Sequence, residues 1–380
     1  MVHYIDELNK DDLKGKKVLL RLDLNAPVLN GEVIDTYRLE RVIETIDFLR
    51  EQEAQIIIIA HCEGKESKTL VPMWHYLNGY FRVDFCSTYF TPEAVDKLLN
   101  LKDKGVLLFE NIRNNEEEVK NNEEFAKKLS GMADIYVDDA FGAMHREHAS
   151  IVGVPNFLPA YGGLLLRQEI EHLSRVFNPN RPFVFILGGA KFDTKLPLIK
   201  KYLELADTVF ICGALANDVY KGKGFEVGTS VLSEVDSSIK EVLGNSKITV
   251  PVDVTVVKID GTSEFRTPDK ILKDEFIIDA GPETIKQMKD IISKSKTVVW
   301  NGPVGKYKKG FTDKTEDLAK IIADATSNLG VESIIGGGDT IAAINMREMG
   351  HSFSFISTGG GAMLDYLVNE TLPGIKSLDK

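Results

Sequence analysis

FVFILGGAK, at residues 183–191, runs from an apolar strand pattern directly into two glycines, and four later stretches repeat this pattern. They are TVFICGAL (208–215), TVVWNGPVG (297–305), SIIGGGDT (333–340) and FSFISTGGGA (353–362). Short runs rich in Val, Ile and Phe are typical of buried strands, and in an open parallel α/β sheet such strands end at one ligand-binding edge. Glycines there admit a ligand close to the backbone, and the following helices offer free N–H groups to phosphate. The pattern therefore predicts a nucleotide-binding edge in the second half of the chain.

The first half also alternates strand and helix patterns, which indicates βαβ units with parallel strands. Strands are predicted at KVLLRLDL (17–24), QIIIIAH (55–61), GVLLFENIR (105–113) and IYVDDAFG (135–142), and helices at 36–52 and 115–131. The run NNEEEVKNNEE (114–124) is typical of a helix face exposed to solvent. In the second half, residues 261–276 are predicted to form an irregular surface excursion.

The length of 380 residues exceeds one ordinary core and predicts two domains. Proline and glycine residues at 155–163 precede a helical pattern from about Leu164 to Phe177, and the segment NPNRP (178–182) ends it. A helix bounded by such residues on both sides is typical of a connector between domains. We therefore place the boundary between the two halves at this helix.

Composition excludes several classes of protein. The formal net charge of −11 argues against nucleic-acid and anionic-membrane partners, although it does not exclude small anions bound by local arginines. The N-terminal segment is charged and predicts no signal peptide, and no apolar run approaches the ~18 residues of a membrane span. The scattered residues Cys62, Cys86 and Cys212 indicate free thiols in a reducing compartment. A cytoplasmic location is expected.

The predicted strands of the first half end in cations where those of the second half end in glycines. The charged and imidazole residues at these ends are Arg21, Asp23, Arg38, His61, Arg113, His145, Arg146 and His148. Since parallel strands end at one edge, we expect these side chains to gather there. Arginine binds carboxylate and phosphate in a bidentate manner, so the set favours a site for a small, multiply charged anion. Taken one at a time, each residue also fits a surface ion pair, a strand cap or a plain loop position.

Seven segments of the chain form an ordered series of motifs. They are RLDLN (21–25), ENIR (110–113), DDAFGAMHREH (138–148), GGAKFDTK (188–195), WNGPVG (300–305), GGGDT (336–340) and STGGGA (357–362). The series closely resembles the signature segments of the phosphoglycerate kinase family. The resemblance runs from near Val18 to LPGIKSL (372–378), which is essentially the whole chain.

The resemblance implies an α/β fold with two Rossmann-like domains, each a parallel sheet flanked by helices, joined by a hinge helix around a cleft. The boundaries expected on this basis are an N-terminal domain at 1–158, a hinge helix at 159–178 and a C-terminal domain at 179–364. Residues 365–380 are expected to pack back on the N-terminal domain. The N-terminal domain would bind 3-phosphoglycerate and the C-terminal domain the nucleotide.

The resemblance also assigns roles to individual residues. Positions that match the 3-phosphoglycerate contacts of the family are Asp23, Asn25, Arg38, His61, Arg113 and Arg146, with Lys65 as a possible replacement for a missing arginine. Positions that match the nucleotide site are Gly189, Ala190, Lys195, Gly213, Asn301, Gly337, Gly338, Asp339 and Thr340. Lys191 matches the lysine near the transferred phosphoryl group and, with Arg38, is assigned to catalysis. Asp339 matches the aspartate linked to Mg²⁺.

The implied reaction is the reversible transfer of a phosphoryl group between ATP and the carboxylate of 3-phosphoglycerate, giving ADP and 1,3-bisphosphoglycerate in glycolysis and gluconeogenesis. Because a carboxylate is already ionised at neutral pH, the reaction needs no general base. It needs charge neutralisation and in-line placement of two anions that repel each other. Arg38 and Lys191 would stabilise the transferring group when the cleft closes. The expected partners are these small molecules with Mg²⁺, without nucleic acid or membrane, and the expected state is a monomer.

The chain departs from the family pattern at two functional positions. After the second strand the family usually reads HLGRP, whereas this chain reads HCEGKES (61–67), which leaves the replacement of the arginine by Lys65 open. The family motif NGPVGxFE ends in a ribose-binding glutamate, whereas Lys308 stands at that place here. Lysine cannot accept hydrogen bonds from ribose hydroxyls. Either the nucleotide preference or affinity is altered, or a nearby residue replaces the glutamate. Asp138 in place of Asn and Asn114 in place of Phe are milder departures.

The sequence disfavours three other functions. A diverged, non-catalytic relative that binds nucleotide or phosphoglycerate in a regulatory role is disfavoured by the presence of Arg38, Lys191, Lys195 and Asp339. A dinucleotide-dependent dehydrogenase is disfavoured because no GxGxxG follows the first strand. The absence of GxxxxGK[ST] disfavours a P-loop NTPase.

Overall fold

The computed structural model describes residues 2–63, 68–233, 239–306, 310–345 and 349–379. These residues form two compact units. The first comprises Met1–Glu171 with Asn369–Lys380, and the second comprises His172–Val368. The C-terminal residues thus belong to the unit formed by the first half of the chain.

The first unit is built on a six-stranded sheet in which all paired strands are parallel. In chain order its strands are β1 (Lys17–Asp23), β4 (Gln55–His61), β5 (Val83–Cys86), β6 (Val106–Phe109), β7 (Ile135–Asp139) and β8 (Ala160–Gly162), with a small antiparallel hairpin of β2 (Val28–Leu29) and β3 (Glu32–Val33) between β1 and β4. Their order across the sheet is β5-β6-β4-β1-β7-β8. The central strands β1 and β4 are buried along almost their whole length because helices cover both faces of a parallel sheet.

Short helices surround this sheet. They are α1 (Lys10–Leu13), α2 (Tyr37–Arg41), α3 (Ile43–Glu51), α4 (Val71–Leu77), α5 (Pro92–Leu99), α6 (Glu116–Val119), α7 (Glu123–Ser130) and, from the C-terminus, α16 (Pro373–Leu378). A 3₁₀ turn at Ile112–Asn114 and a π-helical turn at Ala149–Gly153 lie near the carboxyl ends of β6 and β7 in sequence. Helix α8 (Leu164–Ser174) begins in the first unit and ends in the second.

The second unit contains a second parallel six-stranded sheet. Its strands are β9 (Phe183–Leu187), β10 (Thr208–Ile211), β11 (Ile248–Thr249), β15 (Thr297–Asn301), β16 (Glu332–Gly336) and β17 (Phe355–Ile356), in the order β11-β10-β9-β15-β16-β17. A separate antiparallel sheet contains β12 (Val254–Val257), β13 (Ser263–Arg266) and β14 (Phe276–Ala280). The helices are α9 (Phe192–Leu205), α10 (Ala214–Gly222), α11 (Lys240–Leu243), α12 (Pro282–Ile292), α13 (Asp313–Leu329), α14 (Gly338–Asn345) and α15 (Gly361–Asn369).

The predicted fold class, two parallel sheets flanked by helices, is confirmed. The domain boundaries predicted at 158, 178 and 364 stay predictions. Three local predictions were wrong. The helices predicted at 36–52 and 115–131 are each two helices, interrupted at Val42 and at residues 120–122. The excursion at 261–276 contains strand β13. Strand β5 was not predicted, because its sequence VDFC is short and contains an aspartate.

The helices of the described ranges are each too short or too polar to cross a membrane. Cys62, Cys86 and Cys212 are buried and free, as the sequence predicts.

Candidate active site

The carboxyl edge of the first sheet collects charged side chains from neighbouring strands. Asp23, the last residue of β1, pairs in register with His61, the last residue of β4. Two residues earlier on β1, Arg21 lies opposite Asp138 of β7. All four side chains are at least 95% buried. Burial of ionisable groups is unfavourable unless they pair or lose their charge. A cluster of such groups therefore indicates a candidate functional site at this edge.

Arg38, at the start of α2, is held at this edge from two sides. Its Nη1 donates to the backbone carbonyl of Asn25 at 2.8 Å and lies 3.9 Å from the Asp23 carboxylate. The side chain remains 28% exposed, so its remaining N–H groups are available to a ligand. The sequence-predicted residues Asp23, Asn25 and Arg38 are therefore neighbours.

Asn25 also connects this group to the segment after β4. Its side-chain Oδ1 accepts a hydrogen bond from the backbone N–H of Glu63 at 2.8 Å. The Glu63 carboxylate in turn forms an ion pair with Arg113. Glu63 belongs to the stretch that departs from the family motif, and its carboxylate contacts one Nη of the Arg113 guanidinium.

The cations of this edge act on one another through space. Burial, followed by the charges of Arg21 and Arg146, lowers the pKa of Arg113 to about 10. Burial and the same group of arginines lower the pKa of His148 to about 4. The pKa of His61 is held well below its ordinary value by burial and by the charges of Arg21, Arg113 and Arg38. The lowered pKa values of Arg113, His148 and His61 indicate a positive potential at this edge, which favours a bound anion.

Asp138 is a fully buried carboxyl group in this edge, where burial favours its protonated form. Its Oδ1 accepts from the N–H of Ala140, and its Oδ2 lies 3.0 Å from the hydroxyl of Tyr136. The same hydroxyl also donates to the carbonyl of Ser150 at 2.5 Å, so its single proton is shared between two acceptors and stabilises the Asp138 carboxylate only in part. Burial raises the pKa of Asp138 to about 7, in agreement with this pattern.

We expect the free energy of unfolding of Asp138→Asn, measured relative to that of the wild type, to increase as the pH rises from 5 to 7. The folded state holds the Asp138 proton up to about pH 7, whereas the unfolded chain releases it near its ordinary pKa of ~3.9. The wild type therefore loses stability across this window by roughly 1–3 kcal/mol, and the asparagine, which cannot titrate, does not. Above about pH 7.5 the difference becomes constant. Urea unfolding of both proteins at pH 5, 6, 7 and 8 measures it, and parallel stability profiles would show that Asp138 is ionised in the fold.

The glycine-terminated strands of the second sheet end at one edge, as the parallel pairing requires. The turns after β9 and β15 lie back to back, with the Gly188 N–H donating to the Asn301 carbonyl at 2.8 Å. Gly302 has a φ of +95°, and a Cβ there would lie 2.5 Å from the Gly188 carbonyl oxygen. Glycine at this position allows the two turns to touch.

The two predicted lysines of this edge differ in their surroundings. Lys191 is exposed and adopts a left-handed backbone conformation with φ of 65°, just before α9. Such a conformation is unfavourable for a non-glycine residue and occurs often at functional sites. Lys195, in the first turn of α9, donates to the Gly188 carbonyl at 2.6 Å, and burial lowers its pKa.

Helix α14 begins at the end of β16 with Gly338, Asp339 and Thr340. The first backbone N–H groups of a helix have no acceptor within the helix and favour anions. The Thr340 side chain is fully buried, and its hydroxyl oxygen accepts from the Gly302 N–H at 3.0 Å. Asn301 is 5% exposed and lies beside Gly337, whose φ is +96°. These predicted nucleotide residues therefore form one connected set of turns.

A cavity of 320 Å³ opens beside these turns. Of the predicted nucleotide residues, Gly189, Ala190, Gly213 and Asp339 line it. The opposite wall is apolar and comes from α10 and from the antiparallel sheet, with Ala216, Tyr220, Val254, Phe276, Ile277 and Ile278. An apolar cavity that ends in glycine turns suits a flat base attached to a phosphate chain.

Some cavity residues were not predicted from the sequence. The wall formed by the antiparallel sheet is one example. The pairing of β12 with β14 is long-range, and residues 261–276 show no regular alternation of apolar and polar side chains. Asp279, at the end of β14, is another. It lines the cavity, and burial raises the pKa of its carboxyl group to about 7. The motif FIIDAGP (276–282), with an apolar run followed by glycine, was the available signal.

Three residues singled out in the sequence remain to be placed, namely Arg146, Lys65 and Lys308. Arg146 follows β7 and is exposed. Lys65 and Lys308 lie outside the described residues. Within the described part of the chain, no cluster of three or more His, Cys, Asp or Glu residues is arranged to hold a metal ion.

Comparison with known proteins gives a consistent result. A family model described as phosphoglycerate kinase matches residues 5–370. A phosphoglycerate kinase of Orientia tsutsugamushi (strain Boryong) is 40% identical over 387 residues, covering 96% of this chain and 96% of that protein. One of Chelativorans sp. (strain BNC1) is 38% identical over 391 residues, covering 97% and 98%.

Solved structures agree. The structure of phosphoglycerate kinase from Coxiella burnetii has a TM-score of 0.83 and 32% identity, covering 100% of this chain and 99% of the other. The phosphoglycerate kinase from Pyrococcus horikoshii OT3 has a TM-score of 0.86 and 31% identity, covering 99% and 98%. On this evidence, the chain belongs to the phosphoglycerate kinase family.

Proposed function

We propose that the protein catalyses the reversible transfer of a phosphoryl group between ATP and the carboxylate of 3-phosphoglycerate, giving ADP and 1,3-bisphosphoglycerate. The observation that carries this proposal is the contrast between the ligand-binding edges of the two sheets. One edge gathers arginines whose charges lower the pKa of Arg113 and of His61, and the other forms glycine turns beside an apolar cavity. The first suits a small polyanion and the second suits a nucleotide.

In the first unit, 3-phosphoglycerate binds to Arg38, His61, Arg113 and Arg146, with Asp23 and Asn25 holding Arg38 in place. The Arg38–Asn25 hydrogen bond and the Arg38–Asp23 ion pair support that positioning. The substrate carries a carboxylate at one end and a phosphate at the other. Cations at the ends of several strands can bind both groups, and the cations of this edge are distributed in this way. Lys65 remains a proposed further contact from the sequence.

In the second unit, the base of the nucleotide lies against Gly213 and the apolar wall, and its phosphates reach the turns at Gly189, Ala190 and Gly337. The first N–H groups of α14 and the ammonium groups of Lys191 and Lys195 neutralise the phosphate charge. Lys195 already donates to the Gly188 carbonyl, which holds its amine at this turn. Lys191 is assigned to the transferring phosphoryl group because it is the exposed lysine of the pair.

Asp339 fits the requirement for a magnesium site. Mg²⁺ binds nucleotide phosphates through one or two carboxylates rather than a full protein cage. Asp339 lines the cavity at the start of α14, and the described residues offer no larger acidic cluster. Bound there, Mg²⁺ would neutralise phosphate charge. The ion is thus proposed to be held by Asp339 together with the nucleotide.

The chemistry asks the protein for charge stabilisation and alignment. The attacking carboxylate is ionised at neutral pH, so no side chain has to remove a proton. The phosphoryl group passes between two oxygens in line, and its equatorial oxygens carry negative charge that Arg38 and Lys191 stabilise. The closure of a hinge that brings the two ligands into line stays a prediction from the sequence.

A coupled assay with ATP, Mg²⁺ and 3-phosphoglycerate, omitting each in turn, tests this function. We expect turnover only when all three are present. Binding of one ligand without turnover would instead identify the protein as a non-catalytic relative. We also propose a monomeric, cytoplasmic enzyme that binds neither nucleic acid nor membrane, which agrees with the net charge of −11.

We expect Lys308→Glu to tighten ATP binding, because a carboxylate can accept hydrogen bonds from the ribose hydroxyls and a lysine cannot. An affinity gain of roughly fivefold to tenfold corresponds to one net hydrogen bond. Calorimetric titration with MgATP measures it, and Lys309→Glu is the matched control because it introduces the same charge one residue away. Equal dissociation constants for the wild type and Lys308→Glu would remove the ribose argument.

A further inference from the structure

A chain of buried polar groups lies beneath the cationic edge of the first sheet, and its centre is Arg21. This side chain is fully buried on β1. Its Nε donates to the Ser150 hydroxyl at 2.9 Å, and its Nη1 donates to the Leu22 carbonyl at 2.6 Å. Its Nη2 lies 3.2 Å from Nδ1 of His61. A guanidinium so enclosed is unable to reach a ligand itself.

The contact between Arg21 and His61 determines where the imidazole carries its proton. Arginine remains protonated in proteins and has N–H donors only. His61 Nδ1 therefore has to accept the hydrogen bond and is unprotonated. In a neutral imidazole the proton is then on Nε2, which leaves Nε2–H as the only donor of the ring.

Glu118 completes the chain on the other side of Arg21. Its carboxylate is fully buried and accepts from both the hydroxyl and the backbone N–H of Ser150, at 2.6 and 2.8 Å. The Ser150 proton thus goes to Glu118, and its oxygen is left to accept from Arg21. The prediction of an exposed helix face at 114–124 was wrong for this residue. Glu118 supplies the negative charge that a buried arginine requires.

We propose that Arg21, oriented by Ser150 and Glu118, is a positioning residue that holds His61 in the neutral Nε2–H tautomer, so that His61 offers an N–H donor to the acid substrate. This inference rests on the proposed function, in which His61 contacts 3-phosphoglycerate. Nothing in the arrangement requires Arg21 to touch the substrate.

The surroundings of His61 keep it neutral. The charged and titratable groups that act on it are Arg21 and Asp23 on β1, Arg38 on α2, Arg113 after β6 and His148 after β7. Burial is the largest cause of the lowered His61 pKa, and the charges of Arg21, Arg113 and Arg38 add to it. The imidazole does not gain a proton near neutral pH, and the pattern Nδ1-acceptor, Nε2-donor persists.

Nitrogen-15 NMR of the histidine side chains in the full chain tests the proposal, because the two tautomers give distinct ring-nitrogen shifts. The chain has seven histidines, and His61→Gln assigns the signal of interest. We expect wild-type His61 to keep an unprotonated Nδ1 and a protonated Nε2 from pH 6 to 8. A proton on Nδ1, or an imidazolium at pH 7, would overturn the proposal.

The variants separate positioning from mere stability. Arg21→Met alone leaves the buried Glu118 carboxylate without the charge of Arg21, so Arg21→Met is combined with Glu118→Gln. In this double variant we expect His61 to be a mixture of tautomers. We expect the KM for 3-phosphoglycerate to rise about tenfold, the effect of one hydrogen bond to a charged group, and the KM for ATP to be unchanged. Arg21→Lys, which keeps a donor, retains the wild-type tautomer. Arg82→Met, at an exposed arginine of the same unit, is the control.

A single Nε2–H tautomer in the double variant, with a wild-type KM, would show that Arg21 does not position His61. Should the double variant not fold, the wild-type and Arg21→Lys spectra still decide the tautomer. The spectra need no turnover, so an inactive wild type with the expected tautomer would refute the proposed function and leave the positioning of His61 intact. The two failures are therefore distinguishable.

Discussion

Replacing either Lys191 or Arg38 by alanine is expected to lower turnover about 100-fold or more, the loss typical of removing one group that stabilises transition-state charge. Each side chain is assigned to the equatorial oxygens of the transferring phosphoryl group, where charge cannot be neutralised by water. Steady-state rates at saturating ATP and 3-phosphoglycerate measure the effect. The loss should appear in kcat, because the interaction is strongest in the transition state.

Both substitutions should leave the fold intact. Lys191 is exposed, and its left-handed backbone is equally unfavourable for alanine, so the backbone energy barely changes. Arg38 donates to the Asn25 carbonyl, which water can replace because the site is partly exposed. Lys221→Ala and Arg82→Ala remove exposed cations from the same units and serve as controls. Near-normal turnover in Lys191→Ala or Arg38→Ala would refute the role assigned to that residue.

Gly302→Ala is expected to lower the free energy of unfolding by about 2–4 kcal/mol and to weaken nucleotide binding at least tenfold. The new Cβ would lie 2.5 Å from the Gly188 carbonyl oxygen, and the φ of +95° is unfavourable for alanine. The turns after β9 and β15 would have to separate. Since the same turns border the cavity, the phosphates would lose their backbone contacts.

Gly310→Ala is the matched control for this substitution. Its φ of +87° is similar, but a Cβ there meets nothing within 4 Å. It therefore measures the backbone strain alone, about 1 kcal/mol. Urea unfolding and calorimetric titration with MgADP report stability and binding. Equal effects of Gly302→Ala and Gly310→Ala would show that the contact between the two turns does not matter.

Much of the fold could be predicted from the sequence because each ligand-binding edge carries a repeated local signal. Apolar runs that enter glycine, and apolar runs that end in Arg or His, are visible without knowledge of pairing. Asp23, Asn25 and Arg38 then fall together in the structure because β1 is a central strand and α2 returns to its end.

The missing parts depend on long-range pairing. The apolar wall of the cavity comes from β14 and its partners. The motif FIIDAGP (276–282) indicates a strand that ends in glycine, but not its pairing with β12 beside the cavity. Glu118 lies among residues typical of a solvated helix, and its burial follows only from the position of Ser150. Arg21 was recognised as a strand-end cation, yet its role beneath the site appears only once its partners are known.

Calorimetric titration of the full chain with both ligands tests most directly the assignment of one ligand to each unit. We predict that 3-phosphoglycerate binds at one site per chain in the presence of saturating MgADP, and that MgADP does the same in the presence of 3-phosphoglycerate. Arg38→Ala should weaken only the former and Gly302→Ala only the latter. Displacement of one ligand by the other, or no binding of either at millimolar concentration, would contradict the assignment.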